Sequence, residues 1–186
     1  MKKLILLVAL IAMPLLSYAQ SPVNYGFRIG MNYSSLEGDD IDLDNRFGFH
    51  ANFFADIQLN NTFSLSPEIG LSALGAKADD IELESGDYVE IKTNWLQVGL
   101  LTKINLGEKL FLKLGPQVGV NVGQKDNNDY YNYDFAAVGG LGYNFSQNFS
   151  VDVRYGYGLS NVFDRAFGEN NEANNRYFQL GVAYKM

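Results

Sequence analysis

From Tyr25 to the carboxyl end, the chain alternates apolar and polar residues in eight separate runs, and no other feature constrains the fold as tightly. The last run is the plainest. Phe178, Leu180, Val182, Tyr184 and Met186 share one face, while Tyr177, Gln179, Gly181, Ala183 and Lys185 share the other. Successive side chains of a strand point to opposite sides, so a period of two predicts strands with unlike faces. In a soluble sheet the apolar face would cover a core. Here the polar faces also carry many glycines and several charges, as the interior of a membrane barrel does.

Strands are expected at 24–33, 46–59, 63–73, 88–106, 110–123, 133–145, 149–160 and 175–186. Each supplies the roughly 9–11 residues that a tilted strand needs to cross a bilayer. Asn60-Asn61-Thr62, Gly107-Glu108-Lys109 and Ser146-Gln147-Asn148 are short connections rich in turn formers. The other four connections, 34–45, 74–87, 124–132 and 161–174, are longer. Short turns on one side and long loops on the other predict an all-β fold: an eight-stranded antiparallel up-and-down transmembrane barrel with periplasmic turns and extracellular loops. An even strand count puts both termini in the periplasm.

One face of these strands carries Tyr25, Phe27, Ile29, Phe49, Phe53, Leu71, Leu112, Val153 and their like, with aromatics recurring near the ends where an interfacial girdle would sit. The other face collects Arg28, His50, Asp56, Glu68, Lys103, Lys113, Asp134, Asp152, Arg154 and Lys185. A charge facing lipid at mid-membrane costs about 2–4 kcal/mol, so this consistent placement marks the barrel interior. The two signs nearly cancel, which predicts a paired polar network in place of a single-sign ion filter. Arg154 is expected to pair with Asp134 and Asp152. Pro67 and Pro116 fall within strands three and five, where a missing N–H predicts a bulge or irregularity at each.

Residues 1–19 read as a secretory signal peptide: Met1-Lys2-Lys3, an apolar run from Leu4 to Leu16, and the small-x-small site Ser17-Tyr18-Ala19. The run falls short of the roughly 20 apolar residues a spanning helix needs. Residues 20–186 would then form one barrel domain with 12 bases against 21 acids. That balance argues against nucleic acid as a partner, because phosphate binding depends on lysine and arginine. The absence of cysteine excludes a disulfide framework and a cysteine-borne lipid anchor.

Trp95-Leu96-Gln97-Val98-Gly99-Leu100-Leu101-Thr102-Lys103, followed by Phe111-Leu112-Lys113-Leu114-Gly115-Pro116-Gln117-Val118-Gly119, resembles the central hairpin of the outer-membrane beta-barrel domain family often labelled porin family or PorT-like. Phe135 to Tyr143 and Val151 to Leu159, with the Arg154-Tyr155-Gly156 step, resemble its later pair. In plan the chain is also similar to OmpA/OmpX-type barrels. The resemblance implies fold and outer-membrane location, and it carries no catalytic motif onto these residues.

His50, the single histidine, could act as a general base or belong to the interior hydrogen-bond network; no serine and orienting acid stand at a spacing that favours catalysis. Asp40, Asp42 and Asp44 are spaced like the first ligands of a calcium loop. Asn45 stands where that loop needs glycine, however, and Ala51 where it needs the closing glutamate. No metal and no cofactor are expected. Fifteen of the 21 acids lie in the four long loops beside only Lys77, Lys125 and Arg165, an acidic rim suited to solvation, to lipopolysaccharide through bridging cations, or to a basic extracellular partner. The reading is a monomeric, non-enzymatic barrel with a structural or surface-interaction role. A narrow pore, a secretion component and a lipid-modifying enzyme using His50 are the alternatives.

Overall fold

The computed structural model describes residues 22–38, 41–42, 44–82, 88–123, 133–161 and 173–186. The expected leader lies outside them, as does Asp40, and the side chains of Asp42 and Asp44 are not described either. Eight long strands run β1 (Val23–Gly38), β2 (Asp44–Gln58), β3 (Phe63–Glu82), β4 (Tyr88–Asn105), β5 (Leu110–Asn121), β6 (Tyr133–Asn144), β7 (Phe149–Asn161) and β8 (Ala173–Lys185). A two-residue strand, Ile41–Asp42, pairs with the end of β1. Every neighbour is antiparallel, and β8 returns to β1 through thirteen paired residues from Gly26↔Lys185 to Gly38↔Ala173. This last pairing closes the sheet into a barrel. No edge is left to present unpaired backbone to lipid.

Burial follows the period of two. Phe27, Ile29, Phe49, Leu71, Val153 and Leu180 are exposed on the outside, Phe49 by 71%. Arg28, His50, Glu68, Asp152 and Arg154 are buried within. Aromatic pairs such as Tyr33 with Phe47 and Phe149 with Tyr184 meet across strands near the two ends of the apolar band.

The turns are built by backbone and short side chains. Leu59 N–H and Asn60 N–H both donate to the Phe63 carbonyl, and Asn60 Oδ1 accepts from Thr62 N–H and Phe63 N–H. Ser146 Oγ does the same for Asn148 and Phe149. In the middle turn Gly107 takes φ +109°, a conformation that costs a residue with a Cβ.

Three expectations are corrected. The segment 74–87 is not a loop for most of its length, because β3 continues to Glu82 and pairs with β4 from Phe63 to Ala78 without a break. Beyond Ala73 the sequence itself stops alternating, through Leu74-Gly75-Ala76-Lys77-Ala78-Asp79-Asp80, so periodicity ceases to report the strand. Neither proline produces a bulge, and the irregularity expected at each is limited to an interrupted ladder on one side. Register is conserved past Pro67 and past Pro116; the β2–β3 pairing simply skips two rungs between Phe54↔Glu68 and Ile57↔Leu65, and β4–β5 skips two between Gly99↔Gln117 and Thr102↔Leu114. A missing N–H removes ladder bonds on one side only, and the other neighbour holds the strand straight. Register shifts occur elsewhere, between Asn45 and His50, between Ala78 and Glu82, and between Tyr157 and Asn161.

The shift near Asn45 has a local physical account. There β2 advances five residues while β3 advances four. Side chains satisfy backbone groups at this irregularity: Asn32 Nδ2 donates to the Ala73 carbonyl, Arg46 Nη1 to the Leu74 carbonyl at 2.7 Å, and Ser34 Oγ both donates to the Gly75 carbonyl and accepts from its N–H.

Candidate functional site in the barrel interior

Strands β1, β2, β3, β4, β5 and β7 each send charged side chains into the lumen, and most of them meet. Arg28 (β1) forms an ion pair with Asp152 (β7), Nη2 to Oδ1 at 2.7 Å, and its Nε donates to both carboxylate oxygens. Arg154, two residues on, donates through Nε to the same Asp152 at 2.9 Å and through Nη1 to Glu68 (β3) at 2.6 Å. Glu68 also accepts from Lys113 (β5) at 2.7 Å, and Asp56 (β2) accepts from Lys103 (β4) at 2.6 Å. Ser66 ties the two acids together, donating to Asp56 and accepting from Lys113. Four cations and three carboxylates thus share one continuous network. Removing any one would strand a buried partner.

His50 belongs to this network. Its Nε2 lies 2.6 Å from Arg28 Nη1 and its Nδ1 2.8 Å from Asn32 Oδ1. A guanidinium can only donate, so Nε2 accepts and Nδ1 carries the proton given to Asn32. The lone pair that a general base would use is occupied. Asn32 passes the chain on to Ser72, and Gln179 joins through Arg28.

Two inward residues stand apart. Asp134 accepts from Asn175 Nδ2 at 3.0 Å and does not meet Arg154, whose second acid is Glu68. That corrects the expected Asp134 pairing. Lys185 sits partly buried and donates to Asn144 Oδ1 at 3.2 Å.

The lumen also holds apolar bulk that the list of charges did not include: Phe54, Phe111, Trp95, Tyr177, Leu74 and Leu101 are all buried there. Phe54 faces Gly26, Phe111 faces Gly142 and Tyr177 faces Gly156 across paired strands. A Cβ on any of these glycines would collide with the opposing ring. Lys113 lies 4.7 Å from the Phe54 centroid and Lys103 4.7 Å from that of Phe111, so each ring also caps a cation. The glycines were visible in sequence. Their large cross-strand partners required the register.

The family model for the outer membrane protein beta-barrel domain matches residues 18–164. The chain belongs to this family. As an outer membrane beta-barrel it has solved counterparts in Ail of Yersinia pestis bound to the heparin analogue sucrose octasulfate (21% identity, TM-score 0.56, 88% of this chain and 99% of that one) and in Neisserial surface protein A (13%, 0.59, 89% and 99%). OprG of Pseudomonas aeruginosa is a third (10%, TM-score 0.51, 89% and 97%). At these identities the likeness is one of fold. No curated protein sequence matches the chain. The family places the outer membrane beta-barrel in the outer membrane, with the observed apolar band against lipid and the charge network inside.

Proposed function

We propose that this outer-membrane barrel is a closed, non-catalytic, monomeric scaffold that holds acidic surface loops outside the cell and passes no solute. In this reading residues 1–19 are a leader removed on export, and the short turns and both termini face the periplasm. One observation carries it: the Arg28–Asp152–Arg154–Glu68–Lys113 chain joins β1, β7, β3 and β5 across the lumen. Eight strands leave an interior that side chains can fill, and here charged pairs and the rings of Phe54, Phe111 and Tyr177 occupy it. Planar-bilayer recording on the refolded protein tests this. Wild type should give no stable conductance steps, and steps of porin size would establish the pore reading.

The loops supply the interaction. Together with the strand ends that lead into them, residues 34–45, 74–87, 124–132 and 161–174, they carry fifteen acids and three bases, and so repel a polyanion of the kind bound to Ail and attract cationic partners. Binding of the barrel to a lysine-rich peptide should weaken steeply with salt. Binding that prefers heparin would invert the assignment.

A further inference from the structure

Among the described residues Asp134 is the one buried carboxylate that enters no ion pair. It is 3% exposed, its Oδ2 accepts from Asn175 Nδ2 alone, and its Oδ1 has no hydrogen-bond partner. Two more buried side-chain oxygens lack a donor, Gln97 Oε1 and Asn52 Oδ1. The register sets all three residues on one rung, through Asn52↔Gly70, Gly70↔Gln97, Gln97↔Gly119 and Gly119↔Asp134. A glycine separates each from the next. Beside Asp134 the wall opens further, because between Tyr157↔Arg176 and Asn161↔Asn174 β7 advances four residues against two in β8, and Gly158 lies in that irregularity. A Cβ on Gly158 would stand 3.2 Å from Asp134 Oδ1 and 2.8 Å from the Asn175 carbonyl oxygen, so both oxygens flank the space this glycine leaves. On the other side, a Cβ on Gly119 would lie 3.1 Å from the ring of Trp95 and 3.7 Å from Asp134 Cβ.

We infer that the loop end of the lumen binds one hard monovalent metal cation of the sodium class, with Asp134 Oδ1 as its charged ligand and the Asn175 carbonyl and Gln97 Oε1 as neutral ones. A carboxylate taken out of water without a counter-charge is costly, and the single amide of Asn175 meets only one of its oxygens. Water could fill the vacant acceptors. Only a positive charge offsets the carboxylate. Carboxylate and carbonyl oxygens are the ligands that hard cations take, and one negative charge among neutral groups balances a monovalent ion, whereas tight calcium sites gather several carboxylates. The connections running into β6 and β8 favour the same charge. Residues 124–132 and 161–174 hold Asp126, Asp129, Asp164, Glu169 and Glu172 against Lys125 and Arg165, and a field of that sign concentrates cations at this end of the barrel.

Trp95 is the single tryptophan and adjoins the site, so its emission reads occupancy without a label. The refolded barrel in non-ionic detergent is titrated with sodium chloride in place of N-methylglucamine chloride, at fixed pH and ionic strength. Sodium should change the emission saturably, and calcium chloride should do so only at higher concentration. Asp134→Asn should abolish saturation, and Gln97→Met should raise the sodium midpoint about tenfold, the scale of one lost ligand. Glu108→Gln, in a turn at the opposite end, should leave the titration unchanged. Urea titration of folding into lipid vesicles supplies a second reading: sodium should raise the midpoint of wild type and leave that of Asp134→Asn where it was. Should Asp134→Asn fail to fold, the shift in Gln97→Met decides alone. No saturable response to sodium, an equal response in Asp134→Asn, an unshifted midpoint in Gln97→Met, or tighter binding of calcium overturns the proposal. So does an emission change driven by acid with no dependence on sodium, which would put a proton on Asp134 in place of the metal.

Discussion

Val153 and Arg154 are neighbours in the chain with opposite solvents. Val153 is half exposed on the lipid face and Arg154 is buried between Glu68 and Asp152. Val153→Arg should therefore cost about 2–4 kcal/mol near the midplane, less toward an interface. Arg154→Val should cost about 3–5 kcal/mol by leaving two carboxylates short of a partner, and adding Glu68→Leu should restore part of the loss. Urea titration of folding into lipid vesicles measures all three. A single and double mutant of equal stability would mean that Glu68 does not depend on Arg154. The faces of these residues were legible in sequence because a period of two needs only neighbours. Their partners were not. Glu68 lies 86 residues from Arg154, and which rows meet across the lumen is set by the stagger between strands, a property that no single strand's alternation contains.

At the level of strands and turns, the strongest test is topology. Cysteines introduced at Gly38, Gly86, Asn128 and Asn170 should react with an impermeant thiol reagent on whole cells, whereas cysteines at Asn61 and Gln147 should not; the reverse pattern would turn the barrel over. A second test concerns Gly107. Its φ of +109° lies where a Cβ is strained, so Gly107→Ala should destabilise by about 1–2 kcal/mol while Glu108→Ala changes little. Gly142→Val probes the lumen, since the added atoms would meet the Phe111 ring, and Phe111→Ala in the same chain should relieve the clash. Strand identities were readable wherever apolar and polar residues alternated, and they failed past Ala73, where β3 continues through a stretch that does not alternate. The prolines misled for a related reason. Composition flags a lost donor, but whether a ladder bends depends on what the other neighbour supplies, and the β3–β4 register through Pro67↔Leu100 supplies enough.

For the molecule as a whole, closure is the decisive property. A sheet closed on itself resists detergent, so unboiled protein should migrate differently from boiled protein on a detergent gel, and recovery of a soluble monomer in the periplasm would contradict the fold. Closure was implied by eight amphipathic runs, yet the thirteen-residue seam between β1 and β8 joins the two ends of the domain and leaves no local signature in either. The central ion pairs share that non-locality. Arg28 and Asp152 stand 124 positions apart, and Lys113 reaches Glu68 over 45. The network therefore cannot be assembled hairpin by hairpin as the strands enter the bilayer. Each charge has to stay hydrated until its distant counterpart arrives, so the final desolvation is shared by all seven groups and the insertion barrier should rise or fall with the set, giving this barrel an all-or-none last step.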